Sequence, residues 1–345
     1  MRAISAVDAV SLAMRRTKEF LFRPFTWGTY LKLGLVAIVT EGLGSNIHSS
    51  SNNNHPSGHG PISGPTIHSL SDIPPLWIAG AVAAALLLIV VSIAIFYLVT
   101  RLRFAFFHCL IHNTKEIRPG WWIYRDQATR FFWLNVVVGF VYLLVVVVAA
   151  LPFATGFWRV FHDTPPGGQP DFPLLLSLLL PMIPVIVVLV LAGIAIDLVL
   201  RDWMMPHYAL EDATAGEAWS RAWALLNAEK RQFIAYALLR LILPTIAIAG
   251  LFMVLLIPGL ALAGVLAAVE FGLHSAFADA VGASRIVGIL LEAFFGALAF
   301  GFTLLASVCL GGPVSTGIRE YALIFYGGRY QALGDVLYPA TPRPE

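Results

Sequence analysis

The chain has 345 residues, 58% of them hydrophobic and 12% charged, with a mean hydropathy of +0.79 and a formal net charge of +2. Apolar runs such as AVAAALLLIVVSIAIFYL and LLLSLLLPMIPVIVVLVLAGIAI are continuous and about 20 residues long, enough to cross roughly 30 Å of hydrocarbon. They exclude an outer-membrane barrel, whose strands alternate in short segments, and leave an all-α polytopic membrane bundle, a single domain over 1–345, in which each helix satisfies its own backbone.

Residues 1–26 read as an amphipathic helix without the apolar core and small-residue cleavage site of a signal peptide. Ser5 stands three positions before Asp8, a helix start in which hydroxyl and acid each satisfy a free amide of the first turn, and Val7, Val10, Met14 and Leu21 make the expected apolar stripe. Six spans follow, at about 27–43, 76–99, 131–154, 173–200, 233–257 and 285–312, the first being the shortest. Residues 44–75 form an outer loop carrying His48, His55, His59 and His68; its Ser, Asn, Gly and Pro fit a flexible linker better than a metal site.

Before the third span, Lys115-Glu116 and Arg118-Pro119-Gly120-Trp121-Trp122 resemble Lys18-Glu19 and Arg23-Pro24-Phe25-Thr26-Trp27. Residues 206–232 form a second amphipathic cytoplasmic helix, opened by Thr214 and Glu217 at the capping-box spacing and carrying Trp219, Trp223 and Leu226 at i, i+4 and i+7. An amphipathic helix before a span therefore recurs twice clearly and a third time faintly, which makes three hairpins in the same orientation and differs from the inverted repeats of many transporters. Pro244 and Pro258 are expected to kink or end span five. LAAVEFGLHSAFADAVGAS, with Glu270, His274 and Asp279, reads as a surface helix on the outer leaflet. Gly288, Gly296, Ala297 and Gly301 would let span six pack closely. Residues 320–345 read as a cytoplasmic tail.

With a cytoplasmic N-terminus, every Lys and Arg except Arg159 and Arg285 falls on the cytoplasmic side, which puts both termini there and predicts a multi-pass membrane protein. The lipid-interface candidates are Trp219, Trp223, Arg221, Lys230, Arg231, Arg15, Arg16, Lys18, Trp121 and Trp122, with aromatic rings at the headgroup boundary and cations toward anionic lipid. The intramembrane polar candidates are Glu292, Asp197 and Glu41, since charge in hydrocarbon is costly. Glu292 is the candidate for a proton or cation contact, Asp197 pairs with Arg201 at i,i+4, and Glu41 lies near the outer end of span one.

Cys109 and Cys309 offer no disulfide framework or paired ligand spacing. With no phosphate loop, HExxH, GxSxG or CxxC, no catalytic residue, cofactor or metal is expected, and the basic residues favour lipid over nucleic acid as partner.

The acid-Ala-aromatic-Ser helix start, short basic turn and long span resemble bacterial six-helix integral membrane proteins of unknown function. That group includes the membrane domain of some glycerophosphodiester phosphodiesterases and the UPF0259 (YciC-like) inner-membrane proteins. MMPHYALEDATAGEAWSRAWALLNAEKRQFIAYALLRLIL is its clearest portion. The resemblance implies an integral module of the bacterial cytoplasmic membrane without a settled biochemical role; the phosphodiesterase barrel of the fused members is absent, since no soluble stretch here is long enough to hold it. Two functions fit: a non-catalytic protein that organises or binds the bilayer or accompanies a membrane complex, alone or as a homo-oligomer, or a transporter or channel with Glu292 and Asn135 in its path.

Overall fold

The computed structural model describes residues 4–45, 75–163, 172–277 and 283–338, and among these every regular element is helical. In chain order they are α1 (Ala6–Phe22), α2 (Trp27–Ser45), α3 (Pro75–His112), α4 (Ile117–Ile123), α5 (Arg125–Asp163) and α6 (Phe172–Leu198). A π-helical turn, Val199–Met204, leads into α7 (Met205–Glu211), followed by α8 (Ala215–Ala228), α9 (Lys230–Phe277), α10 (Ala283–Gly327) and α11 (Gln331–Leu337). The outer loop with its four histidines, and Asp279, lie outside the described residues.

Five stretches are long and apolar enough to cross a membrane: Ala79–His112, Arg125–Val160, Leu175–Glu211, Lys230–Phe277 and Ser284–Gly327. They correspond to the last five expected spans. Their apolar halves are largely exposed and meet only in pairs, α5 with α6, where Tyr142 donates to the Leu189 carbonyl at 2.7 Å, and α9 with α10, while α3 is exposed on all sides from residue 79 to 96. In water that surface would be untenable; lipid tails solvate it as well as another helix would, so packing between spans is not compelled. The packed core lies instead where the basic ends of α3, α5, α6, α9 and α10 meet α1, α2, α7, α8 and α11.

The expected first span, 27–43, is corrected by this arrangement. α2 has Lys32 and Glu41 among its 19 residues and is not among the five spanning stretches. It packs into the basic-end core through Tyr30, Leu33, Val36, Ala37 and Thr40, one helical face, against α10 and α3. Tyr30 donates to the Cys309 carbonyl at 2.5 Å, and Lys115 donates to the Pro24 carbonyl at 2.5 Å. Two glycines allow the contact with α10: a Cβ on Gly312 would stand 2.7 Å from the Gly34 Cα.

α1 starts as expected, with the Ser5 hydroxyl accepting from the Asp8 amide at 3.1 Å, but its packing face differs. Ala6, Ala9, Ala13, Thr17 and Phe20 are buried; of the expected stripe, Leu21 is buried and Val10 packs against the core, while Val7 and Met14 stand exposed. The small side chains let α1 lie closely along α10, antiparallel, with Arg16 beside Glu320 and Arg329 donating to the Ile4 carbonyl at 3.0 Å.

The spans also run longer than their hydropathy. α9 continues through Pro244 and Pro258 to Phe277, so the expected outer surface helix is its last part. Residues 320–337, read from sequence as tail, are the end of α10 and α11, with Tyr321, Phe325 and Tyr326 essentially buried. The aromatic residues there have a core to fill, which a tail would not. Of the small residues in α10, Gly288 permits close approach, since a Cβ would meet Phe277 at 2.7 Å, whereas Gly296 and Gly301 face open space.

Candidate functional site

Two features of the basic end stand out: a buried network of charges, and an exposed girdle of tryptophan and basic residues around it.

The network begins at the π turn. Widening the helix by one residue per turn lets the neighbours Arg201 and Asp202 both point inward from the end of the apolar α6 run, and both are buried. Arg201 pairs with Glu41 of α2 and donates to the Thr40 carbonyl at 2.9 Å. Arg240 of α9 bridges Glu41 at 3.0 Å and Asp202 at 3.1 Å. Arg319 of α10 donates to Asp202 at 2.9 Å and to the Arg201 carbonyl at 3.1 Å, and Tyr236 donates to Asp202 at 2.7 Å. Arg103 of α3 completes the set by donating to the Thr40 carbonyl at 3.1 Å. Five elements distant in sequence are thereby joined through two buried carboxylates and four guanidinium groups. Paired charges of this kind hold a specific arrangement, and loss of one partner strands the rest in low dielectric.

Glu41 is thus not at an outer helix end: its partners Arg201 and Arg240 sit at the basic ends of α6 and α9. Asp197 does reach Arg201, at 3.7 Å, but its side chain is 41% exposed and it is a peripheral partner. Glu292 is remote, about 40 Å of helix before Arg319 on α10, and its carboxylate lies 3.2 Å from His274 on α9. Asn135 donates to the Phe131 carbonyl of its own helix at 2.7 Å. The three intramembrane candidates therefore fall into two separate places. Asp202, Arg103, Arg240 and Arg319 were missed as members of the network; the signal available was a charged doublet, Arg201-Asp202, directly following an apolar run.

The girdle is carried by short helices before α5 and α9. α8 has the full capping box: the Thr214 hydroxyl accepts from the Glu217 amide, and Glu217 accepts from the Thr214 amide at 2.9 Å. These bonds, from the Thr214 backbone first and its hydroxyl second, hold the Glu217 carboxyl below its ordinary value. Ala218 and Ala222 are buried on the core, which leaves Trp219 and Trp223 about half exposed, their rings stacked 5.6 Å apart. Arg221 pairs with Glu211, while Lys230 and Arg231 are exposed and their side chains form no ion pair or hydrogen bond with a described residue.

On α4, Trp122 is exposed and Trp121 half-buried, with the Arg101 guanidinium 4.3 Å from the Trp121 ring centre. On α1, Arg15 and Lys18 are exposed and Arg16 turns inward, donating to the Leu110 carbonyl at 2.8 Å. Trp27 and Trp133 extend the girdle, and Trp77 and Trp158 are exposed at the opposite ends of α3 and α5. From Trp133 to Trp158 the helix rises about 38 Å, close to a hydrocarbon core plus part of each headgroup layer.

Among the described residues no three His, Cys, Asp or Glu side chains gather as a metal ion would require, and both cysteines are free. No curated protein and no solved structure matches the chain, and the resemblance to the phosphodiesterase membrane domain and the UPF0259 proteins finds no support. A family model does match, over residues 4–336, nearly the whole chain and including both the charge network and the girdle. The chain belongs to that family, the family of unknown function DUF7544.

Proposed function

We propose that the protein is a non-catalytic integral membrane module whose basic end binds anionic lipid headgroups in the cytoplasmic leaflet, with the charge network as the brace that holds the lipid-facing helices in place. The observation that carries this reading is the girdle itself. Trp27, Trp122, Trp133, Trp219 and Trp223 are exposed on the helices of the packed end, and Lys230 and Arg231, which follow α8, form no ion pair with a described residue. Indole rings favour the headgroup boundary, and unpaired Lys and Arg beside them gain from anionic phosphate. The stacked pair Trp219 and Trp223 borders a shallow apolar recess with Val199, Trp203 and Leu226, suited to the upper part of an acyl chain.

A transport path would instead bring ionisable groups together across the membrane, and the separation of Glu292 from Glu41 and Asp197 weighs against it. The test is native mass spectrometry of protein extracted gently from mixed membranes. Replacing Trp219 and Trp223 together by Ala, with Lys230→Gln and Arg231→Gln, should reduce retained anionic lipid several-fold while neutral lipid is unaffected. Equal retention by parent and variant would reject the reading.

A further inference from the structure

Away from the tryptophans of α4 and α8, but sharing Arg15 with the basic girdle, α1, the end of α3, the end of α10 and α11 line a groove of about 470 Å³. That is within the range of small-molecule sites. One wall is apolar, made by Leu12, Ile111, Ile324, Val336 and Leu337. The rest of the lining is polar or charged, with Arg15, Arg16, Glu19, His112, Asn113 and Tyr338. Arg15 and Glu19 lie one turn apart on α1 and both line the groove, yet they form no ion pair with each other or with any other described residue. With Arg preceding Glu, the weaker of the two i,i+4 orders, and both exposed, the pair gains little by closing on itself. Arg16 between them is engaged elsewhere, on the Leu110 carbonyl and, at 3.2 Å, on the fully buried Glu320. The Tyr338 hydroxyl, also on the rim, lies in the field of Arg16, Glu320 and Arg15.

Among the described residues, Arg15 and Glu19 thus stand in the groove without an ion pair, beside apolar side chains and the lining His112. We infer that the groove binds a zwitterionic amphiphile: an anionic phosphate or carboxylate on Arg15, a primary ammonium on Glu19, and an apolar body along Leu12, Ile111, Val336 and Leu337. The guanidinium offers a forked donor to the oxyanion, and the carboxylate accepts the ammonium protons. A bilayer aminophospholipid and a soluble phosphate ester of an amino alcohol share this chemistry. The site does not depend on the tryptophan surface, so either assignment can fail without the other.

The experiment is isothermal titration of the full-length protein in a neutral amphipol with monomeric dihexanoyl phosphatidylethanolamine. The corresponding phosphatidylglycerol, phosphatidylcholine and free phosphoethanolamine serve as comparisons. The ethanolamine lipid should bind at least tenfold tighter than the glycerol or choline lipids. Arg15→Gln should weaken its binding tenfold or more, and Glu19→Gln should abolish the preference over phosphatidylglycerol. Both residues are exposed on α1, and unchanged melting of the variants confirms that they fold. Tight binding of phosphoethanolamine alone, equal to that of the lipid, would assign the charged rim to a soluble ligand and overturn the role of the apolar wall. Equal binding of the ethanolamine and glycerol lipids, or variants that bind like the parent, would overturn the inference.

Discussion

Glu41 and Asp197 look alike in sequence, each a lone acid at the edge of an apolar run, and the structure separates them. Glu41 is buried between Arg201 and Arg240, whereas Asp197 touches Arg201 from a partly exposed position. Glu41→Gln strands buried guanidinium charge and should cost about 3–5 kcal/mol of stability. Asp197→Asn should cost less than about 1 kcal/mol. Denaturant unfolding of both variants in one detergent checks this, and comparable losses would deny the network its bracing role. The sequence made both acids suspicious because charge near hydrocarbon needs a reason. It could not name the partners, because Glu41 and Arg240 are 199 positions apart and nothing local links them.

Helix starts were legible at the level of elements, since a cap is a local device read within four residues. Ser5 with Asp8 and Thr214 with Glu217 both behave as their spacing implies. Thr214→Ala should lower stability by about 1 kcal/mol, measurable as a shift in the thermal midpoint. Because the folded Glu217 carboxyl titrates below its ordinary 4.5, its contribution is complete above that value and lost as pH falls through the depressed value. The stability difference between parent and Glu217→Gln should therefore shrink on acidification below pH 4.5, and a constant difference would contradict the capping role.

Which face of α1 packs was not legible. The larger apolar residues Val7 and Met14 suggested one stripe, but close approach to α10 selects the alanines, a choice that depends on the neighbour's shape. The same closeness makes Gly312→Ala a sharp test of the α2 contact. A methyl group 2.7 Å from the Gly34 Cα must push the helices apart, at about 1–3 kcal/mol, and neutral behaviour would mean the helices are not so near.

For the whole molecule, exposed apolar halves and one packed end predict a clear sidedness. Cysteines placed at Ser220 and at Arg285, in a background with Cys309 replaced by Ser, should label from opposite sides of sealed vesicles, with Ser220 on the cytoplasmic side. Labelling of both from one side would refute the arrangement. Hydropathy counted six spans where five stretches are long and apolar enough, because Lys32 and Glu41 dilute the 19 residues of α2.

The sequence by itself determined the solvent. Hydrocarbon-length apolar runs require helices, basic residues at one end of each span set a polarity, and tryptophans mark the boundary, all consequences of composition over short windows. Only the tertiary structure decided that α2 belongs to the packed end, that residues 320–337 are core, and that four arginines and two acids close one network. Burial of charge is tolerated only where partners converge, and convergence of residues more than a hundred positions apart is a property of the folded chain.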